Sequence, residues 1–482
     1  MRWRFILNII GLLLFFFGLT MIFPLLVGLY YMDQSLTPFL KSMAVTIATG
    51  LLVYFIFRKA RAEVINHREG LAIVALGWSA VGLFGALPFY LGDGGFTFTG
   101  AVFESVSGFT TTGASILKNI EAVPKGLLFW RSFIQWLGGM GIIVLSVAIL
   151  PFLGVGGMQL YKAEVPSPVP DKLKPRIRDT ALILWKVYAF ISLIQVIMLK
   201  VGGMSLYDAF CHTFATMPTG GFSTKNSSIA HYDSVYFDCV FMFFMLMAGI
   251  NFSLHYQMLR GKTLIFWQDS ECRFFLGAVA LSAFFVSLDV FGSVYETFNE
   301  ALRYGAFQVV SIVTTTGFST ADYEQWPAMS QLILLVCMFL GASAGSTGGG
   351  MKCLRIMLCL KYCYNELFSL IHPHAVSYVK IASEPVPDDV MRSVLGFLAL
   401  YVVLFILSSV LLAGLGVDFT TSFAAVAATI GNIGPGFGMV GPVENYAHIP
   451  LLGKWLLIWC MLLGRLEIFT VIVLVVPEFW RK

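Results

Sequence analysis

Charge is scarce in this sequence. Only 12% of its 482 residues are Asp, Glu, Lys or Arg, about half of the roughly 25% usual for soluble domains. Hydrophobic residues make up 58% of the chain and form long runs, such as 5–31 and 395–415. Each run is near or above the ~20 residues that a helix needs to cross hydrocarbon. The sequence therefore predicts a polytopic, all-α membrane protein.

Paired cysteines and clustered catalytic side chains are also lacking. The eight cysteines form no Cys-x-x-Cys pair and have no histidine at zinc-site spacing, so we interpret them as reduced packing residues. No cluster of carboxylates or histidines indicates an embedded enzyme, and an enzyme is not predicted. A net charge of +4 gives no indication of nucleic-acid binding.

Hydropathy predicts ten spanning segments and four shorter stretches between them. The spanning segments are 5–31, 39–57, 70–91, 127–153, 180–201, 235–258, 273–292, 330–360 (interrupted), 393–415 and 451–477. The shorter stretches, rich in Gly and Thr, are 96–115, 206–224, 297–320 and 419–438. Most of the 31 basic residues fall on one side, so the positive-inside rule predicts cytoplasmic termini and places the four stretches on the outer face.

The four stretches repeat in their letters. TTTG at 110–113 recurs at 314–317, and GFST at 221–224 recurs at 317–320. The fourth copy, GNIG at 431–434, is placed mainly by its position between spans. Internal duplication explains the pattern. We predict an N-terminal helical hairpin and four helix–pore-loop–helix repeats in pseudo-fourfold arrangement, with boundaries 1–66, 67–160, 161–262, 263–385 and 386–482.

These stretches suit a cation filter. Non-helical backbone at membrane depth is tolerated only inside protein or beside water, so four such stretches imply a shared axis. Glycine allows backbone angles that turn carbonyls toward this axis, where rings of oxygens replace a cation's hydration shell. No Asp or Glu stands at the tips, which argues against a calcium-type filter. The predicted filter residues are Thr110, Thr111, Thr112, Gly113, Pro218, Thr219, Gly220, Gly221, Thr314, Thr315, Thr316, Gly317, Gly431, Asn432, Ile433 and Gly434.

A second unusual segment interrupts the eighth span. Residues 341–350 contain five glycines, which makes this stretch a poor helix and predicts a loop inside the membrane. Arg465, in the last span, must face the protein interior unless it pairs only with Glu467 or extends toward an interface. Glu104 and His212, which precede the first two tips, are expected either to support the filter by hydrogen bonds to neighbouring half-helices or to line the outer pore.

With these motifs, residues 70–477 resemble the Trk/Ktr/HKT superfamily of potassium transporters, and the added N-terminal hairpin resembles its TrkH branch. The resemblance implies potassium as the permeant ion and no covalently bound cofactor. It also implies potassium selectivity, because sodium-favouring relatives carry Ser at the position of Gly113. In the second copy Pro218 replaces Thr, so both Gly220 and Gly221 remain candidates for the matching glycine.

The resemblance further implies a gate. It places the loop 341–350 under the filter, where the loop obstructs the pathway and moves to open it. Arg465, and Lys352 likewise, would donate to loop carbonyls and add a positive barrier. The predicted gate residues are Gly341, Gly345, Ser346, Thr347, Gly348, Gly349, Gly350, Lys352 and Arg465.

Partners and location are also implied by the resemblance. It implies a homodimer in the bacterial inner membrane and a cytoplasmic nucleotide-binding partner of TrkA type. The basic loops 162–178 and 352–392 are candidate docking sites for that partner. The alternative function is a secondary transporter coupled to protons or sodium, for which Glu467 is the strongest candidate carboxylate.

Overall fold

The computed structural model describes residues 1–58, 66–92, 95–141, 177–375, 377–381 and 384–480. These parts are mostly α-helical, which confirms the predicted class. Within them the strands are Lys380–Ile381 and Glu384–Pro385, an antiparallel pair with Lys380 opposite Pro385. Much of the predicted partner-docking loop 162–178 lies outside the described residues.

The α-helices fall into three consecutive parts of the chain. Those before residue 141 are Trp3–Thr20, Ile22–Tyr31, Leu36–Phe57, His67–Gly85, Leu87–Leu91, Phe98–Phe109 and Lys125–Gly139. Those from 177 to 313 are Ile177–Val201, Leu206–Thr216, Val235–Gly249, Phe252–Leu259, Ile265–Gln268, Ser270–Val290 and Phe298–Val313. The remainder are Ala328–Leu340, Cys353–Ile371, Asp388–Gly414, Phe419–Ile430, Leu451–Arg465, Ile468–Ile472 and Pro477–Trp480.

Six of the described helical segments are long and apolar enough to cross a membrane, and two bent pairs would raise the number to eight. The bends are 102° between Val235–Gly249 and Phe252–Leu259, and 120° between Leu451–Arg465 and Ile468–Val475. Of the other two predicted spans, 127–153 lies partly outside the described residues, and 330–360 is divided by the loop 341–350. The count of ten therefore stays a prediction.

Four short helices stand where the re-entrant stretches were predicted. We call them half-helices 1 to 4: Phe98–Phe109, Leu206–Thr216, Phe298–Val313 and Phe419–Ile430. Each begins with a side-chain cap that accepts a backbone N–H three residues on. The four caps are Thr97, Ser205, Thr297 and Asp418. Such a cap stabilises a helix start by about 1 kcal/mol, so the sequence marks all four starts in the same way.

The contacts between the half-helices and the long helices form a closed cycle. Each half-helix packs against the long helix that follows the previous half-helix in the chain. The pairs are Leu206–Thr216 with Lys125–Gly139, Phe298–Val313 with Val235–Gly249, Phe419–Ile430 with Ala328–Leu340, and Phe98–Phe109 with Leu451–Arg465. The last pair joins the end of the chain to half-helix 1, so the half-helices form a ring.

The N-terminal hairpin packs on the outside of this ring. Its helices Trp3–Thr20 and Leu36–Phe57 touch through their backbones, since a Cβ on Gly11 would lie 2.9 Å from the Gly50 oxygen. Small residues permit such close approach between membrane helices. A salt bridge of 2.6 Å between Arg2 and Glu69 ties the hairpin to the next helix.

Candidate ion pathway

Each half-helix ends in a four-residue tip with the same backbone conformation. We call these segments tips 1 to 4: residues 110–113, 218–221, 314–317 and 431–434. The second and fourth residues of every tip have positive φ. The angles are 53° and 81° at Thr111 and Gly113, 57° and 73° at Thr219 and Gly221, 59° and 79° at Thr315 and Gly317, and 53° and 100° at Asn432 and Gly434. Residues that carry a side chain rarely adopt this backbone region. Because positive φ recurs at the same two positions in all four tips, the tips share one structure.

The third residue of every tip folds its amide back onto its own half-helix. In each case the acceptor is the carbonyl five residues earlier. The four bonds are Thr112 N to Ser107 O at 2.9 Å, Gly220 N to Ala215 O at 2.8 Å, Thr316 N to Ser311 O at 2.8 Å and Ile433 N to Ala428 O at 2.8 Å. These bonds satisfy half-helix carbonyls that would otherwise have no partner and fix the direction of each tip.

The four tips meet in a closed ring. A Cβ added to the glycine that ends each tip would collide with, or press on, a carbonyl oxygen of the next tip. That oxygen belongs to the residue just before the final glycine of the next tip. The contacts are Gly113 with Gly220 O, Gly221 with Thr316 O, Gly317 with Ile433 O, and Gly434 with Thr112 O at 2.7 Å. Tip 4 thus returns to tip 1, and the four contacts form a closed cycle.

This geometry settles the register of the second tip. Gly221 has the positive φ of the other final glycines, so it is the residue that matches Gly113. Gly220 stands at the level of Thr112, and Pro218 at the level of Thr110. The carbonyl of Gly220 is also held from outside the tip, because Gln135 Nε2 donates to Gly220 O at 2.6 Å. Sequence reasoning missed Gln135, which carries no local signal of this role.

Behind the first two tips lie buried polar side chains at the position nine residues before the final glycine. Glu104 accepts from Ser115 Oγ at 3.0 Å, Ile116 N at 3.1 Å and Arg131 Nε at 2.5 Å. His212 Nε2 lies 2.9 Å from Ser223 Oγ. Both side chains therefore contact the chain that follows their own tip, whereas the sequence predicted partners on neighbouring half-helices.

Arg131 joins half-helix 1 to the segment that follows tip 2. Besides its bond to Glu104, it donates from Nη1 to Ser223 O at 2.9 Å, and its guanidinium lies 3.6 Å from the centre of the Phe222 ring. Both members of the Arg131–Glu104 pair are buried. Sequence reasoning missed this contact of Arg131, because the partners are identified only by the fold.

Tip 4 is supported differently, since Ala425 occupies the position equivalent to Glu104. Tyr446 donates from its hydroxyl to Gly434 O at 2.7 Å, and Tyr323 donates to Gly436 O at 2.8 Å. Glu324, beside Tyr323, accepts from Gly438 N, and burial raises the pKa of its carboxyl. The outer rim of the fourth tip is therefore held largely by residues from elsewhere in the chain.

The loop 341–350, which we call the glycine-rich loop, lies against the helix-side ends of tips 2, 3 and 4. Thr347 Oγ1 donates to Met217 O at 2.9 Å, next to tip 2. Gly349 N donates to Thr315 Oγ1 at 2.7 Å. A side chain on Gly349 would collide with Gly431 O. The predicted loop is thus non-helical and lies against the ends of the tips that adjoin their half-helices.

Backbone angles show why this loop needs its glycines. Gly341, Gly345 and Gly350 have φ of 69°, 75° and 74°, and a side chain on Gly345 would lie 2.8 Å from Asn251 Oδ1. The remaining predicted members are held inside the loop: Ser346 Oγ donates to Ser343 O at 2.5 Å, and the buried Lys352 Nζ donates to Gly348 O.

Arg465 completes the contacts by reaching tip 1. Its Nη1 donates to Thr111 Oγ1 at 3.0 Å and to Thr347 O at 2.7 Å. Its Nη2 donates to the carbonyls of Gly138 and Gly139 at 2.6 and 2.8 Å. The alternative that Arg465 pairs only with Glu467 is therefore wrong.

Glu467 has another partner. Its Oε1 accepts from Arg355 Nη2 at 2.6 Å. The carboxylate named for a coupled transporter is thus in a salt bridge with Arg355, which is itself buried.

Comparisons with known proteins agree with this arrangement. The family model described as "TrkH: Cation transport protein" matches residues 35–482. The chain is 46% identical to the Trk system potassium uptake protein TrkH of Halomonas elongata and 43% identical to that of Escherichia coli, each over 100% of both chains. The crystal structure of the potassium transporter TrkH from Vibrio parahaemolyticus matches with a TM-score of 0.90 and 38% identity, covering 100% of both chains.

Proposed function

The chain belongs to the TrkH family of cation transport proteins, and from this premise we propose that it is the potassium-conducting subunit of a bacterial potassium uptake system. The family is one of transport proteins and not of enzymes. The names of the relatives specify potassium and a Trk uptake system. We propose the same ion and the same kind of system for this chain.

The ring of tips is the observation that carries the proposal. Four carbonyl oxygens, from Thr112, Gly220, Thr316 and Ile433, each lie against a glycine of the neighbouring tip. Such a ring of oxygens replaces the hydration shell of a permeating monovalent cation. The carboxyl end of each half-helix leads into its tip, and the partial negative charge of that end favours a cation beside the tips.

The glycine-rich loop and Arg465 act as the gate in this proposal. Together they contact tips 1, 3 and 4, through Arg465 and Gly349, and Thr347 binds Met217, the residue before tip 2. A guanidinium below the oxygen ring repels an arriving cation, and the repulsion is strong where water is excluded. Opening therefore requires the loop to move and Arg465 to exchange its partners.

The same proposal includes the wider organisation expected from the sequence. The chain forms ten spans, with the hairpin 1–66 and four repeats at 67–160, 161–262, 263–385 and 386–482. Both termini are cytoplasmic, two copies form a homodimer in the inner membrane, and a nucleotide-binding subunit of TrkA type docks on the cytoplasmic face. The relatives' description as parts of a Trk system supports such a regulatory partner.

Reversal potentials of the purified protein in a planar lipid bilayer test this function. Under a potassium gradient with sodium as the competing cation, we expect the reversal potential to follow the potassium Nernst potential at every pH. A reversal potential that shifts with the proton or sodium gradient would support the coupled transporter instead. Equal permeability to potassium and sodium would contradict the filter.

A further inference from the structure

A buried carboxylate from another helix binds both ends of the glycine-rich loop. Glu271 lies in the first turn of Ser270–Val290 and is 8% exposed. Its Oε1 accepts from Ala344 N at 2.6 Å and from Leu354 N at 3.2 Å. The first amide lies near the entry to the loop and the second follows its exit. One oxygen atom therefore connects two segments that must separate if the loop rearranges.

The second of these bonds supplies a missing helix cap. The helix Cys353–Ile371 begins after Lys352, which has a positive φ and makes no side-chain cap. The first N–H groups of a helix have no partner within it and favour a negative charge. Glu271 meets this need from a neighbouring helix, so the start of Cys353–Ile371 is stabilised only while the two helices stay together.

Other contacts close the base of the loop at the same place. Cys353 N donates to Ala342 O at 3.1 Å, and Cys353 Sγ donates to Gly341 O at 3.1 Å. The side chains of Ala344 and Leu354 share a small buried apolar cluster. The two ends of the loop are thus packed together around the carboxylate of Glu271.

The neighbouring cations are engaged elsewhere. Lys352 Nζ donates to Gly348 O, and Arg355 forms its salt bridge with Glu467. A buried carboxylate depends on its hydrogen bonds for stability, and in Glu271 these come from the two loop-end amides. The interaction is therefore mutual: the two amides satisfy the buried carboxyl oxygen, and this oxygen holds the two amides.

We propose that Glu271 is a positioning residue of the gate: its carboxylate clamps both ends of the glycine-rich loop and keeps the loop under the tips. Any movement that pulls Cys353–Ile371 away from Ser270–Val290 breaks a bond to Glu271 and releases the loop. This inference rests on the proposed function. The proposal identifies the Glu271 hydrogen bonds as the contacts that a regulatory partner must break to open the pathway.

The test compares Glu271→Ala and Glu271→Gln with the wild-type protein, without a regulatory partner. Rubidium uptake into liposomes measures basal flux, and hydrogen exchange measures protection of the amides in 341–354. We expect Glu271→Ala, which removes both hydrogen bonds, to raise basal flux and exchange by about tenfold or more. Glu271→Gln, which keeps an acceptor oxygen, should give a smaller rise in both.

The control is Glu296→Ala, which removes an exposed carboxylate beyond the other end of the same helix and should match the wild type. Wild-type flux and exchange in Glu271→Ala would overturn the clamp. The clamp would also be overturned if both Glu271 variants lost rubidium flux and selectivity for potassium over sodium to the same extent. That result would indicate a purely structural role for Glu271. If Glu271→Ala does not fold, Glu271→Gln decides by the same two measurements.

The failure of the proposed function is distinguishable from the failure of the clamp. A wild-type protein without potassium selectivity would contradict the function. The hydrogen exchange of 341–354 still reports on the clamp in that case, because it does not depend on which ion passes.

Discussion

Arg465 and Thr111 are joined side chain to side chain, Nη1 to Oγ1 at 3.0 Å, although 354 residues separate them in the sequence. The same Nη1 binds Thr347 O in the glycine-rich loop. One cation thus links the first tip, the loop and the last long helix.

Removing this cation should open the pathway. We expect Arg465→Ala to raise basal rubidium flux by about tenfold or more, because hydrogen bonds to charged groups contribute about 1.5–3 kcal/mol each and the positive barrier is lost as well. Arg392→Ala, at an exposed arginine, is the matched control and should leave flux unchanged. Unchanged flux in a folded Arg465→Ala protein would contradict the gate.

The ring contacts make the final glycines sensitive to a single methyl group. Gly317→Ala places a Cβ against Ile433 O at a φ of 79°, a backbone conformation that costs about 1–2 kcal/mol for non-glycine residues. We expect rubidium flux to fall by at least about tenfold as the ring is displaced. Gly277→Ala is the control, because nothing lies within 4 Å of its added Cβ. Wild-type flux in Gly317→Ala would argue against a tight ring.

The hydroxyl of Thr315 should contribute to closure in a smaller way. Thr315→Val removes the acceptor of Gly349 N, a neutral hydrogen bond whose net contribution is about 1 kcal/mol. Basal flux should then rise by about fivefold, which is less than in Arg465→Ala. Thr315→Ser keeps the hydroxyl and should behave as the wild type. A rise in Thr315→Ser as large as that in Thr315→Val would show that packing, and not the hydrogen bond, is responsible.

The buried pair behind tips 1 and 2 should matter for stability. Glu104→Ala leaves Arg131 buried without its carboxylate, and breaking such a pair costs about 3–5 kcal/mol. Thermal unfolding in detergent should show a large loss. Glu121→Ala breaks the more exposed pair with Lys225, 3.4 Å apart, and should cost less than about 1 kcal/mol. Similar losses of thermal stability in both variants would contradict the prediction that the buried pair of Glu104 and Arg131 stabilises the fold.

The sequence predicted the elements that depend on local chemistry. The first three tips are predicted from Gly and Thr repeats and the fourth mainly from its position between spans. The glycine-rich loop is predicted from its density of glycine, which allows backbone angles that few other residues adopt. Hydrogen bonding by Glu104 and His212 is one of the two predicted alternatives, but their partners Ser115, Ile116 and Ser223 follow their own tips and do not lie on neighbouring half-helices.

The contacts between distant segments were not predictable in the same way. Gln135, Arg131 and Glu271 bind groups 85, 92 and 73 residues away, and nothing in their neighbouring letters names those partners. The bends at Asn251 and Glu467 were also missed, because hydropathy reports apolar length and not direction. Pro218 obscured the second tip, whose register became evident only from the φ of Gly221.

The four tips belong to one polypeptide, and this has a consequence for how the molecule can change. In an assembly of four identical chains, any mutation appears at every corner of the central opening at once. Here a mutation reaches a single corner, as Asn432 in place of threonine and Gln135 beside Gly220 already illustrate. A single mutation in such a chain can therefore change ion preference through one tip, while the other three tips stay unchanged.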